Sequence, residues 1–302
     1  MKYILANKFY LVIATALFIT ACTEIGPPIN LTPDAPTPIG AKKSGLIKDT
    51  MYVETTIPAP DAKRVLIEEF SGQSCTNCPN GHQAIEQIKL TTNKVSAATI
   101  HFIDNSFSQS LPIAPFDFRT ATGTTISTSL DGITGIPAAR FDRTMFGGAY
   151  TFSTPASWIT YVNQQIAKTS YVNIELASIW DAIIHQDSVA IKIHFTGNAT
   201  ADTLGVSIYI TEDSIVAPQV LPSGTTDLNY VHNNIFRTML TPLSGIEIKG
   251  NKTAGNVKLY QLRSDVIDVT KWNIDKLKII AFVHKQNSGN KEIVQVAEMK
   301  MK

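Results

Sequence analysis

Cysteine is scarce in this chain: three in 302 residues, at positions 22, 75 and 78. That scarcity excludes a disulfide-dense scaffold. Without a second cysteine pair it also argues against a zinc site, for which only His82 stands near as a further ligand. Charge of one sign is lacking too. Lysine and arginine total 26 against 25 acidic residues, with no basic block and no aromatic–basic interleaving, which removes nucleic acid from the partner classes. No internal repeat occurs, so a solenoid or propeller is excluded. Nor is any apolar run long enough for a comfortable membrane span.

What is there begins with a short apolar run, Leu11 to Ile19, preceded by Lys2 and Lys8. It has the shape of a secretory signal. The run ends Phe18-Ile19-Thr20-Ala21-Cys22. Small residues leading directly into cysteine are similar to a bacterial lipobox, so cleavage before Cys22 and lipidation of its thiol are expected, with membrane attachment through that lipid. An ordinary signal peptide followed by a chance cysteine is the alternative. Residues 1–21 are thus read as a signal peptide. Residues 22–61, broken by Pro27, Pro28, Pro33, Pro36, Pro38, Pro58 and Pro60, read as an extended tether with a short edge strand near Met51 to Thr56.

The remaining two cysteines stand in Phe70-Ser71-Gly72-Gln73-Ser74-Cys75-Thr76-Asn77-Cys78-Pro79. Val65-Leu66-Ile67 before them suits a buried strand, and Ile85 and Ile88 after them recur at helical spacing. A C-x-x-C at a strand-to-helix junction reads as a thiol–disulfide pair, because helix N–H groups and the helix dipole stabilise a thiolate there. Glu69 ends the strand and would lie under the pair, where it could take a proton from Cys78. Ile136-Pro137 opens a later strand and is a good place for a cis bond. Export implies an oxidising compartment, so the pair is expected to be a disulfide. A purely structural staple remains open beside a redox role.

The other elements follow from pattern. Val95 to Phe102 reads as a strand, Asp104 to Pro115 as a loop, and Ile136 to Asp142 as a strand with a partner over Phe146 to Phe152. Ala156 to Lys168 reads as a helix. Phe116 to Leu130 is ambiguous: its place in the order calls for a helix, and its threonines oppose one. The set resembles the thioredoxin superfamily over roughly Lys63 to Lys168. That resemblance implies Cys75 as attacking thiolate, Cys78 as resolving thiol, Glu69 as proton handler and the Pro137 backbone as a docking edge for a protein thiol or disulfide substrate. Thr76-Asn77 between the cysteines and the lack of a preceding tryptophan depart from the familiar oxidoreductases.

From Tyr171 the pattern changes to strict alternation, as in Val189, Ile191, Ile193 and Phe195. Short strands at regular spacing, with a turn at Gln286 to Asn290, imply a β-sandwich. The fold class expected is therefore α/β plus all-β: a thioredoxin-like domain over 62–169 and a β-sandwich over 170–302. In the second region His185 and His194 read as ordinary strand histidines, and Pro222 to Arg237, with His232 and Arg237, as a solvated connection that could bind a ligand. No cofactor or metal is expected.

The lipobox, the tether, the C-x-x-C segment, Gly135-Ile136-Pro137-Ala138-Ala139-Arg140-Phe141-Asp142, Val231-His232-Asn233-Asn234-Ile235-Phe236-Arg237 and the closing hairpin occur in one order. Together they resemble a lipoprotein family named for a twenty-eight-kilodalton bacterial outer-membrane protein. The resemblance implies an outer-membrane lipoprotein and no particular reaction. An oxidoreductase and a binding or adhesion module with a structural disulfide both fit it.

Overall fold

The computed structural model describes residues 41–103, 108–287 and 289–302. The expected signal segment and Cys22 lie outside the described residues, as does part of the loop expected after Phe102. In chain order the first half contains β1 (Gly45–Val53), β2 (Val65–Ser71), α1 (Cys78–Thr91), β3 (Val95–His101), α2 (Ala121–Thr128), β4 (Ala138–Phe141) and α3 (Trp158–Ile166). The second half contains β5 (Val172–Asp181), β6 (Gln186–Phe195), β7 (Leu204–Glu212), β8 (Ile215–Val216), β9 (Gln219–Val220), β10 (Thr226–Asp227), β11 (Val231–His232) and β12 (Ile235–Met239). It closes with β13 (Ile246–Glu247), β14 (Asn256–Arg263), β15 (Leu277–Lys285) and β16 (Ile293–Lys300). Among the described residues no helix is long and apolar enough to cross a membrane.

β2 is buried along its whole length. It pairs in parallel with β3, Ile67 opposite Ala97, and antiparallel with β4, Ile67 opposite Phe141. Its alternating side chains serve two cores. Val65 and Ile67 pack with Ile85 and Ile88 of α1 and Trp158 and Val162 of α3. Leu66 and Phe70 pack on the opposite face with Ile100 and Ile126. The ambiguous Thr-rich segment does contain a helix. Thr120 caps it by accepting from the Gly123 amide at 2.9 Å, and the hydroxyls of Thr124 and Thr125 donate back to carbonyls one turn earlier. Gly123 lets that helix press onto β3, since a Cβ there would lie 2.5 Å from the His101 carbonyl.

In the second half the alternation predicts the inner faces correctly. Val189, Ile191 and Ile193 of β6 meet Val206, Ile208 and Ile210 of β7 and Ile279 and Ala281 of β15 in one core. The four-stranded sheet β1-β14-β6-β5 covers one side of that core. β7 and β15 are buried on both faces, because the side turned away from this core is also covered. There Tyr209 and Phe282 join Leu66, Phe70 and Phe236. The closing hairpin is present, with β15 antiparallel to β16 and the Lys285 amide donating to the Glu292 carbonyl across its base.

Two expectations need correction. Residues 45–53 are not tether: β1 pairs along β14 from Gly45 to Val53, Met51 packs against the core shared by β6, β7 and β15, and Asp49 ion-pairs with Lys258. The proposed division at 169 and 170 also runs through one continuous sheet. Its strand order is β16-β15-β7-β12-β3-β2-β4, with β13 on β7. The join is physical. β3 would otherwise end the first sheet with an unpaired edge, and β12 takes that edge, Ile235 beside Thr99, while the Thr99 amide donates to the Asn234 carbonyl at 2.7 Å.

Candidate functional site

Cys75 and Cys78 are disulfide-bonded. Cys78 is the first residue of α1 and Cys75 lies in the turn before it, held by its amide to the Gly72 carbonyl at 3.2 Å. The intervening Thr76 and Asn77 are exposed, yet Cys75 is 3% exposed and Cys78 fully buried. The Ile136–Pro137 bond is cis, and the Ile136 carbonyl oxygen lies 3.7 Å from the Cys75 sulfur. Pro137 also borders Gly81, one turn into the helix from Cys78, where an added Cβ would lie 3.1 Å from its ring. Cys75, Cys78, Glu69 and Pro137 thus gather at one end of β2.

Glu69 is fully buried on the α1 side of β2. One oxygen accepts from the Thr99 hydroxyl at 2.8 Å, and the other, Oε1, has no hydrogen-bond partner. Burial pushes its pKa up to about 8, with the Thr99 hydrogen bond opposing, so at neutral pH it is a carboxylic acid. His82 stands beside it, Nε2 at 3.7 Å from Oε1 and 2.8 Å from the Ser71 hydroxyl. The other ring nitrogen is 2.9 Å from the Tyr230 hydroxyl. Burial, and then His232, hold His82 down at about 3. A cavity of about 250 Å³ opens here, with Glu69, His82, Thr99 and Tyr230 in its wall.

The site has a second half, of which the sequence marked only His232. Residues 214–234, between β7 and β12, form a folded strap that lies over the cysteine turn. β8 pairs with β11 and β9 with β10 to make it. The Val220 amide donates to the Gln73 carbonyl at 2.9 Å. The Gln219 side chain donates to the carbonyls of Gly72 at 3.2 Å and Cys75 at 3.0 Å. His232 is buried between Phe118, Tyr230 and His82, and burial lowers it to about 4. His101 lies against Phe118 with neither ring nitrogen hydrogen-bonded, and burial holds it well below its ordinary value.

The expected solvated connection over 222–237 therefore needs correction. Its tip is exposed, but its return strand carries Tyr230 and His232 into the site. The sequence signal was His232, with no pattern to say what it would meet. Arg237 is committed elsewhere, its Nε donating to Glu212 at 2.7 Å. His185 stacks on Trp180, and His194 sits between Glu54 and Glu175, so neither joins the site.

Chemically the arrangement offers a disulfide, a protonated carboxylic acid one helical turn below it, and neutral imidazoles. Residues 127–302 match the family model described as outer membrane protein Omp28. A search of curated protein sequences found no match. Among solved structures, the chain is similar to HBP35 of Porphyromonas gingivalis, with TM-score 0.64 and 15% identity over 80% of this chain and 76% of that one. It is also similar to protein AGR_C_4864 from Agrobacterium tumefaciens, with TM-score 0.50 and 12% identity over 81% of this chain and 97% of that one. A domain of the outer membrane lipoprotein Omp28 from Porphyromonas gingivalis aligns at 17% identity over 44% of this chain and 88% of that one, with TM-score 0.31. At these identities the first two likenesses concern fold alone.

Proposed function

The chain belongs to the Omp28 family of outer membrane proteins, and from that premise we propose that it is a lipid-anchored thiol–disulfide exchange protein with a thioredoxin-like N-terminal region and a β-sandwich C-terminal region. The observation that carries the reading is Glu69. A buried carboxyl without a structural ion partner, held protonated beside a C-x-x-C disulfide, is costly to keep for packing alone. A partner thiolate attacking the Cys75 sulfur would form a mixed disulfide and expel Cys78 as a thiolate. Glu69 would give that thiolate its proton. A second partner thiolate then releases Cys75, and both cysteines are left reduced while the partner thiols leave as a disulfide. In the opposite direction the Glu69 carboxylate takes the Cys78 proton as Cys78 resolves a mixed disulfide at Cys75. The Ile136 carbonyl beside Cys75 supplies an edge for an extended substrate chain.

The test is a Cys78→Ala variant expressed in the native host, with mixed disulfides trapped through Cys75. Protein partners captured by this variant and absent with Cys75→Ala support exchange. Insulin reduction by the purified protein gives an independent reading. Replacing Cys22 with Ser tests the anchor: labelled fatty acid should no longer be incorporated, and continued labelling would reject lipidation there.

A second reading has its own observation. Both cysteines are buried, which favours a structural disulfide in a binding or adhesion protein. A reduction potential below about −300 mV would mark that case.

A further inference from the structure

The strap is held by unusual means. Its apolar anchorage is one small cluster of Phe118, Ile215, Ala217 and Ile235. Its grip on the cysteine turn is otherwise polar: the Val220 amide and Gln219 side chain on the carbonyls of residues 72, 73 and 75, and the Gln73 side-chain Nε2 on the Pro218 carbonyl at 3.3 Å. The same seam buries polar atoms with no partner, Gln73 Oε1, Gln219 Oε1 and His232 Nδ1. A buried polar atom without a protein partner lowers the advantage of the closed arrangement. The outer side of the strap is solvent-facing, with Val216 and Val231 opposite each other and both about half exposed. A segment with few apolar contacts and unsatisfied polar atoms on its inner face belongs to the low-stability end of a protein's local openings.

We propose that residues 214–234 are a strap closed over the Cys75–Cys78 disulfide, and that it must lift before a reductant or partner thiol reaches Cys75. Lifting breaks the Val220–Gln73 backbone pairing and withdraws Gln219 from the carbonyls of Gly72 and Cys75. It leaves the cysteine turn with open backbone carbonyls, the acceptors an extended polypeptide would need to take the strap's place. The biological use of this gate rests on the exchange reading above, but the gate itself is legible in how the protein's own disulfide reacts.

The experiment follows reduction of that disulfide by dithiothreitol in the folded chain, alongside hydrogen exchange of individual amides. Gln219→Ala and Val220→Pro each remove strap bonds and should speed reduction about tenfold, with the unfolding midpoint little changed. In the unaltered protein, the Val220 amide should exchange much faster than amides of β2. Equal reduction rates in variants and parent would overturn the proposal. So would exchange at Val220 that occurs only with global unfolding, a result that needs no variant. Faster reduction in the strap variants together with no captured partner for Cys78→Ala would discard the exchange reading and keep the strap.

Discussion

Gly81 lies directly on Glu69: a Cβ at position 81 would sit 2.5 Å from Glu69 Oε1, 3.0 Å from the Trp158 ring and 3.1 Å from Pro137. The glycine is what lets α1 approach the end of β2 closely enough to bury the carboxyl. Gly81→Ala gains helix propensity of about 1 kcal/mol but forces three packed groups apart, which costs about 1–3 kcal/mol. A lower urea midpoint is expected, and an unchanged or higher midpoint would show that Glu69 yields without strain.

Glu69 makes stability fall on the alkaline side. Its pKa is about 8 in the folded chain against 4.5 for a free side chain. The folded state therefore holds a proton that the unfolded state has lost. The contribution is complete below pH 4.5 and is lost as pH rises through 8, with a slope of about 1.4 kcal/mol per pH unit between them. Asp187, pushed up from 3.8 to about 6 by burial, adds a decline of the same sign that is complete near pH 6. Urea unfolding of the parent and Glu69→Gln from pH 5 to 9 isolates the Glu69 part: the variant should show the shallower decline. Equal slopes would mean that Glu69 is ionised in the folded protein.

The histidines act in the opposite direction. His82 is held at about 3 and His232 at about 4, and His101 lies well below 6.5. His101 and His232 both lie edge-on to Phe118 and His232 meets His82 directly, with Glu69, Ser71 and Tyr230 around His82 and Arg119 affecting His101. Folded-state values below the free value give stability that is present above pH 6.5 and lost as pH falls. Each histidine contributes up to about 1.4 kcal/mol per pH unit. His232→Phe should be less acid-sensitive between pH 6.5 and 4.5, where carboxylates held low by ion pairs have yet to titrate. A variant as acid-sensitive as the parent would remove His232 from this account.

Local pattern carried much of this into the sequence reading. Val65-Leu66-Ile67, the C-x-x-C turn and Ile85 with Ile88 locate β2 and α1 because burial and helical spacing are local properties. Alternation along Val189 to Phe195 locates β6 for the same reason. Gly135-Ile136-Pro137 drew notice to Pro137, whose bond is cis and whose neighbour's carbonyl lies beside Cys75. The strap was not legible. Tyr230 reaches His82 across 148 positions, and Gln219 reaches Cys75 across 144. Neither pairing leaves any periodic trace. β1 was obscured by the prolines around it. Those prolines flank Gly45 to Val53 without entering it, so they end the strand and do not forbid it.

The join between the halves makes the last prediction. Glu68 on β2 is buried and would be raised by burial alone, but Arg143 holds it below its ordinary value, with Nη2 2.7 Å from Oε1. Tyr209 on β7 donates to the same carboxylate at 2.8 Å and accepts from Arg143 at 2.7 Å. Two members of this triad come from the first half and one from the second. Arg143→Met strands a buried carboxylate and should cost about 3–5 kcal/mol, whereas Glu68→Met with Arg143→Met removes both charges and should recover much of that loss. Because the triad and the continuous sheet tie the halves together, urea unfolding followed at Trp158 and at Trp272 should give one shared transition. Arg143→Met should move both signals together. Two separated midpoints in the parent would instead support independent domains divided near residue 170.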